Sequence, residues 1–264
     1  MDPSTPLNND EVATAEVATA EVTTAEVTTA VNSSPLILLP GLGGDSRLFA
    51  AQRAEFPHLI VPSWITPEKQ EPLATYAARF AEKIDPGQPC FLGGLSFGGV
   101  MALEVATHLL SRECYLIGSV RSPQQIPRRL KIFRAASSLV MIPKWLSPWV
   151  LTYAGGWMTP QYRGAVRQLM DSDDAFLRWA AGAILDWTPS PGVAKLRIIQ
   201  IHGDQDRVFP VSSIAADKVI RGAGHLVSLT HAAEVNQFLK ERMFMAPDIT
   251  PQPSTTDPKN WTRK

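Results

Sequence analysis

The run Cys90-Phe91-Leu92-Gly93-Gly94-Leu95-Ser96-Phe97-Gly98-Gly99-Val100-Met101-Ala102-Leu103-Glu104-Val105-Ala106 changes character at a single residue. Ahead of Ser96 stands a short apolar stretch of strand length. Behind it, small and apolar residues without a proline fit a helix. The junction reads Gly94-Leu95-Ser96-Phe97-Gly98, a G-x-S-x-G pattern in a strand-to-helix context. A Ser at so sharp a turn takes strained backbone angles, and Gly94 and Gly98 remove side chains that would collide there. The turn lifts the Ser96 hydroxyl out of the sheet. A helix starting at Phe97 also aims free N–H groups and the positive end of its dipole at any oxyanion formed beside that hydroxyl. In this setting Ser96 reads as a nucleophile and not as an inert turn residue.

A nucleophilic Ser needs a general base, and the base needs an orienting carboxylate. Downstream, the apolar run Leu196 to Ile201 leads into His202-Gly203-Asp204-Gln205-Asp206-Arg207-Val208-Phe209-Pro210, and 19 residues beyond Asp206 comes Gly222-Ala223-Gly224-His225. Both stretches follow predicted strands, at the carboxyl edge where open α/β sheets bind their ligands. Asp204 and Asp206 are both candidates for the acid. Among the other histidines, His58 opens a strand, His108 falls inside a helix, His202 is placed to brace the acid loop, and His231 begins the last helix.

Across the chain, apolar runs alternate with helix-like segments, which predicts an α/β fold with a mostly parallel sheet covered by helices on both faces. The predicted strands are Leu36 to Leu39, His58 to Val61, Cys90 to Leu95, Tyr115 to Val120, Leu196 to Ile201 and Asp217 to Ile220. Helices are expected over Pro72 to Ile84, Phe97 to Leu110 and Ala232 to Met243. The alternation stops over 123–191, which holds five of the seven Trp, namely Trp145, Trp149, Trp157, Trp179 and Trp187. This interval is expected to form a helical cap inserted into a core of 35–122 and 192–245. Trp145, Trp149 and Trp157 are the candidate substrate-binding residues.

Residues 11–30 are four pentapeptides, Glu-Val-Ala-Thr-Ala twice and Glu-Val-Thr-Thr-Ala twice. A period of five builds neither a helical stripe nor a strand face, so 1–34 is expected to be a disordered acidic leader. The stretch 246–264, with four prolines among polar residues, is expected to be a flexible tail.

Composition narrows the function classes. The chain of 264 residues has 25 Lys+Arg and 25 Asp+Glu, but the leader takes six of the carboxylates and no Lys or Arg. The remainder holds 25 basic against 19 acidic side chains, too small and scattered an excess for a nucleic-acid surface. Apolar runs fall short of the roughly 18 residues of a membrane span. Two cysteines, Cys90 and Cys114, cannot make a disulfide framework, and with a start that lacks a secretory signal they suggest a cytoplasmic protein. Neither a zinc spacing such as His-Glu-x-x-His nor a dinucleotide G-x-G-x-x-G occurs, so no metal and no cofactor are expected.

The order Ser96, then Asp, then His225, each at a strand end, resembles the α/β-hydrolase superfamily over about residues 35–243. The resemblance implies the α/β-hydrolase fold, with Ser96 as nucleophile and His225 as general base. Its pattern, the acid three positions after Gly203 with Pro210 four further on, selects Asp206 over Asp204. It also implies an oxyanion hole built from the N–H groups of Phe97 and of Leu42, in the loop Pro40-Gly41-Leu42-Gly43-Gly44-Asp45. Here the chain has Pro40-Gly41 where the commonest family pattern has His-Gly. A Ser at position 96 argues against the dehalogenases and epoxide hydrolases of this superfamily, which use Asp there. What the resemblance implies is a serine esterase working through an acyl-enzyme, and the Trp-rich cap suggests a small or medium apolar ester as its substrate. The alternatives are an acyl-CoA or acyl-carrier thioesterase or acyltransferase, to which the basic cluster Arg128, Arg129, Lys131 and Arg134 points, and a non-catalytic binding module.

Overall fold

A computed structural model describes residues 34–130 and 160–247. Six strands, β1 (Leu36–Leu39), β2 (Leu59–Ile60), β3 (Cys90–Leu95), β4 (Ser111–Ile117), β5 (Ile198–Gly203) and β6 (Lys218–Ile220), form one sheet in the order β2-β1-β3-β4-β5-β6. Every neighbouring pair is parallel. The helices considered below are α1 (Ala50–Glu55), α2 (Leu73–Ile84), α3 (Phe97–Ala106), α4 (Pro160–Asp171), α5 (Asp174–Leu185), α6 (Val227–Thr230) and α7 (Ala232–Met245).

The strands are apolar almost without interruption because both faces of the sheet are covered. Side chains alternate between two cores, as a period of two requires. Ile37, Leu39, Cys90, Leu92, Cys114 and Leu116 pack with residues of α2 and α3 on one face. Leu36, Leu38, Phe91, Leu95, Tyr115 and Ile117 pack with residues of α7 on the other. Helix α3 is buried at all ten positions, which explains its small residues and its lack of a polar face. Cys90 and Cys114 are free thiols in adjacent strands, and burial pushes Cys90 up to about 12.

The strand order places a topological switch between β1 and β3. The chain leaves β1 for β2 at the edge and returns to β3 on the other side of β1, opening a crevice at their carboxyl ends. Loop 40–45 and Ser96 sit on the two sides of that crevice.

Several expected boundaries shift. β4 spans Ser111–Ile117 and not Tyr115 to Val120, because buried polar residues open it: Glu113, 1% exposed, pairs with Arg197 and Arg242. It ends where Gly118 turns with φ +52°. The expected helix over Phe97 to Leu110 stops at Ala106, just before Thr107 Oγ1 bonds Glu104 O at 2.7 Å. Helices α1 and α6 are too short for a periodicity to announce them.

Within the interval expected to form a cap, α4 and α5 are described, whereas Trp145, Trp149 and Trp157 lie outside the described residues. Trp179 and Trp187 are packing residues. Trp179 Nε1 donates to Glu71 O at 2.8 Å, and its ring lies 4.3 Å from Tyr76. Trp187 Nε1 donates to the buried Glu104 carboxylate at 2.7 Å. Among the described residues, no helix is long and apolar enough to cross a membrane.

Candidate active site

Ser96 stands at the carboxyl end of β3 with φ 54° and ψ −120°, the left-handed strain expected of its turn. Only glycines permit the approach of the flanking chain. A Cβ on Gly94 would lie 2.3 Å from Gly98 O, and one on Gly98 would lie 2.1 Å from Leu39 O. Ser119 Oγ, beyond the end of β4, donates to Ser96 O at 2.6 Å and holds the turn from the opposite side.

The loops after β5 and β6 bring the other two candidates to Ser96. His225 Nε2 is 2.8 Å from Ser96 Oγ, and His225 Nδ1 is 2.8 Å from Asp206 Oδ2. For a hydroxyl and a carboxylate at the two ends, the consistent tautomer carries its proton on Nδ1 and accepts from Ser96 at Nε2. Asp206 is buried, and its Oδ1 accepts from the N–H groups of Val208 (2.7 Å) and Phe209 (2.9 Å). Burial alone would raise its carboxyl. The charge of His225 and the hydrogen bonds from His202 and His225 outweigh burial and hold the carboxyl far below the usual carboxylate range. Asp204 is exposed and accepts from Gly222 N at 2.8 Å, away from His225.

His202 is fully buried, with Nε2 2.7 Å from Phe209 O and 3.1 Å from Asp206 Oδ2. Both neighbours are acceptors, so Nε2 carries the proton and clips the acid loop closed. The Phe209 ring packs edge-on against His225, with centroids 5.5 Å apart. Arg129, from the basic cluster, donates to the carbonyls of Arg207 and Val208 in the same loop. Lys131 and Arg134 lie outside the described residues. His58 and His108 are exposed, and His231 Nδ1 meets Thr230 Oγ1 at 2.9 Å.

Phe97 is the first residue of α3, so its N–H has no carbonyl one turn back to bond. Loop 40–45 passes directly beside Ser96: a Cβ on Gly41 would stand 3.6 Å from that of Ser96. Leu42 and Gly43 occupy the middle of a turn closed by Gly44 N to Gly41 O at 2.9 Å, with Gly43 at φ +69°. The sequence offered no sign of what grips this turn. Asp45 N donates to Gln168 Oε1 at 2.9 Å, and Ser172 Oγ lies 2.7 Å from Gly43 O, both residues coming from the end of α4 and just past it. Beside the loop lies a cavity of about 500 Å³ lined by Pro40, Gly44, Arg47, Arg53, Trp64 and neighbours. Among the described residues, no cluster of three His, Cys, Asp or Glu side chains has metal-binding geometry.

A parallel sheet with this strand order, carrying a Ser, a His and an Asp in one hydrogen-bonded line at its carboxyl edge, defines a hydrolase of the α/β class. The sequence matches the model of the alpha/beta hydrolase family over residues 36–238, and the chain belongs to that family. Comparison with curated protein sequences returns no match. Among solved structures, a thermophilic esterase from Thermogutta terrifontis is similar at 18% identity and TM-score 0.65, covering 79% of this chain and 89% of that one. A hydrolase from Pseudomonas aeruginosa shares 20% identity at TM-score 0.64 over 81% and 91% of the two chains. The enol-lactonase from Burkholderia xenovorans shares 17% at TM-score 0.60 over 79% and 91%. At these identities the likeness is one of fold.

Proposed function

We propose that this hydrolase cleaves a carboxylic ester of a small or medium apolar substrate through an acyl-enzyme on Ser96. The observation that carries the reading is the unbroken line Asp206, His225, Ser96, with 2.8 Å at each joint, ending on a Ser held at φ 54°. Ser96 Oγ attacks the ester carbonyl while His225 Nε2 takes its proton, and Asp206 holds the imidazole and stabilises its charged form. The N–H groups of Leu42 and Phe97 receive the oxyanion. His225 then returns the proton to the departing alcohol. In the second half-reaction it takes a proton from water, which attacks the acyl-enzyme, and Ser96 leaves with that proton restored.

The supporting frame is a core of 35–122 and 192–245 with the interval 123–191 as a helical cap, in a cytoplasmic protein to which two buried free thiols are suited. On this reading the leader 1–34 is dispensable, and a chain starting after Ala30 hydrolyses esters at the full-length rate. Labelling with a fluorophosphonate, followed by peptide mapping, tests the mechanism: the adduct forms on Ser96 and disappears in Ser96→Ala and His225→Ala. A folded protein that takes up no label rejects the esterase reading in favour of a binding module on the same fold. The thioester alternative is separated by salt: a coenzyme A thioester recruited by Arg128 and its neighbours loses turnover as ionic strength rises, and a neutral ester does not.

A further inference from the structure

Loop 40–45 has little with which to hold itself beyond one backbone turn. Pro40 has no N–H, the side chain of Leu42 is exposed, and Asp45 spends its carboxylate on Arg47 through a bidentate pair. The turn at its centre nevertheless has a specific shape. Gly41 O accepts from Gly44 N, Leu42 and Gly43 fill the two middle positions, and φ +69° at Gly43 is the angle that a type II turn demands at its third residue. The direction of the Leu42 N–H follows from that shape.

Three contacts from the end of α4 keep the turn in place. Gln168, 5% exposed, accepts from Asp45 N at 2.9 Å. Ser172 Oγ lies 2.7 Å from Gly43 O and 2.7 Å from Gln168 O, so its one hydroxyl proton is shared between the turn and the last turn of the helix. Leu169 closes over Gly43 so tightly that a Cβ there would stand 2.4 Å from Leu169 Cδ1. The amide on one side of Gly44 and the carbonyl on the other are thus both tied to a helix more than 120 positions along the chain.

We infer that Gln168 and Ser172 are positioning residues for the oxyanion donor Leu42, so that the end of α4 completes the reaction centre through loop 40–45. This inference rests on the serine mechanism proposed above. Neither residue touches the reacting atoms. They act by fixing the Gly43–Gly44 and Gly44–Asp45 peptides, which keeps Gly44 N on Gly41 O and so keeps the Gly41–Leu42 peptide, with its Leu42 N–H, aimed at the place where charge develops. A donor that wanders is lost to the transition state and not to the bound ester, so the effect falls on kcat and leaves KM in place.

The test compares wild type with Gln168→Leu, which keeps size but removes the acceptor, Gln168→Glu, which keeps an acceptor oxygen, and Ser172→Ala. Turnover of an activated neutral ester, inhibition by a trifluoromethyl ketone that forms an oxyanion on Ser96, thermal unfolding, and amide hydrogen exchange of the peptide spanning the loop are measured on each full-length chain. Gln168→Leu lowers kcat by about tenfold or more with KM within about twofold, and weakens the ketone by the same factor, because a transition-state analogue feels a lost oxyanion donor as the reaction does. Exchange in the loop quickens, Ser172→Ala behaves alike with a smaller loss, and Gln168→Glu recovers most of kcat. Unchanged exchange in Gln168→Leu overturns the clamp. Faster exchange with unaltered kcat and ketone affinity overturns its catalytic purpose, as does a kcat loss that ketone affinity does not share. If wild-type turnover does not depend on Ser96, the serine mechanism falls, while the exchange data still decide whether α4 holds the loop.

Discussion

The loop after β5 that carries the proposed acid (the acid loop) and the loop after β1 that carries the proposed oxyanion donor (the oxyanion loop) lie at the same edge of the sheet and are held in different ways. The acid loop is held mainly by its own residues: Asp206 caps the N–H groups of Val208 and Phe209, and His202 reaches Phe209 O, all within seven positions, while Arg129 adds bonds to the carbonyls of Arg207 and Val208 from outside. The oxyanion loop closes one backbone turn and depends on Gln168 and Ser172 for the rest. Local hydrogen bonding makes a loop that is rigid wherever its strand ends. A loop held from a distance has its geometry only when another element is docked, and its contribution to rate then depends on that element.

The comparison breaks most completely at the centre that both loops serve. Ser96→Ala and His225→Ala are each expected to lower kcat on an activated ester by on the order of 10⁴-fold or more, with unfolding temperatures near wild type. Within the acid loop, Asp206→Asn is expected to cost about 10³ to 10⁴ in kcat, since it removes the charge that fixes the His225 tautomer. Asp204→Asn should stay within about twofold, because an amide oxygen still accepts from Gly222 N. Equal losses in the two variants would assign the acid wrongly.

A gentler break is His202. In His202→Leu the buried carbonyl of Phe209 loses its donor, at an expected cost of about 1–3 kcal/mol in urea unfolding, and His202→Gln, which presents an N–H at nearly the same place, recovers most of it. A His202→Leu protein as stable as wild type would show that the acid loop is not self-held through this bond.

The depressed Asp206 carboxyl gives the acid loop a pH signature. Its charged form is favoured by folding, so its contribution is fully present above the unfolded carboxyl value, near 3.9, and is lost as pH falls from there through the folded value. Unfolding free energy measured from pH 5 downward therefore declines less steeply in Asp206→Asn than in wild type. Parallel curves would remove the carboxylate from the account. An effect confined to stability is expected of Trp179→Phe, which deletes the bond to Glu71 O and shrinks a ring packed on Tyr76 and Phe176, at a cost of about 1–3 kcal/mol with kcat unchanged.

These contrasts follow how far along the chain each interaction reaches. Ser96 was legible because its constraints are local: a strand, a turn that needs Gly94 and Gly98, and a helix lie within a few residues of it. The site of His225 was legible from a strand end and a glycine-rich turn. The choice between Asp204 and Asp206 needed the spacing to Pro210, and the structure separates them physically, one on His225 and one on the turn after β6. The start of β4 was missed because Ser111, Arg112 and Glu113 look solvent-facing until Arg197 and Arg242 are seen beside Glu113. Trp179 and Trp187 are aromatic on any reading, and only their partners show them to be packing residues.

The amino-acid sequence by itself determined the alternation of strands and helices, the strained Ser96 turn, and the order of the Ser, Asp and His, because periodicity, glycine sterics and short-range capping act between near neighbours. Tertiary structure alone decided the strand order that opens the crevice between β1 and β3, the pairing of Glu113 with Arg197 and Arg242, and the grip of Gln168 and Ser172 on loop 40–45. Those contacts join residues whose separation along the chain carries no periodic or local signal, and they exist only once packing has brought the pieces together.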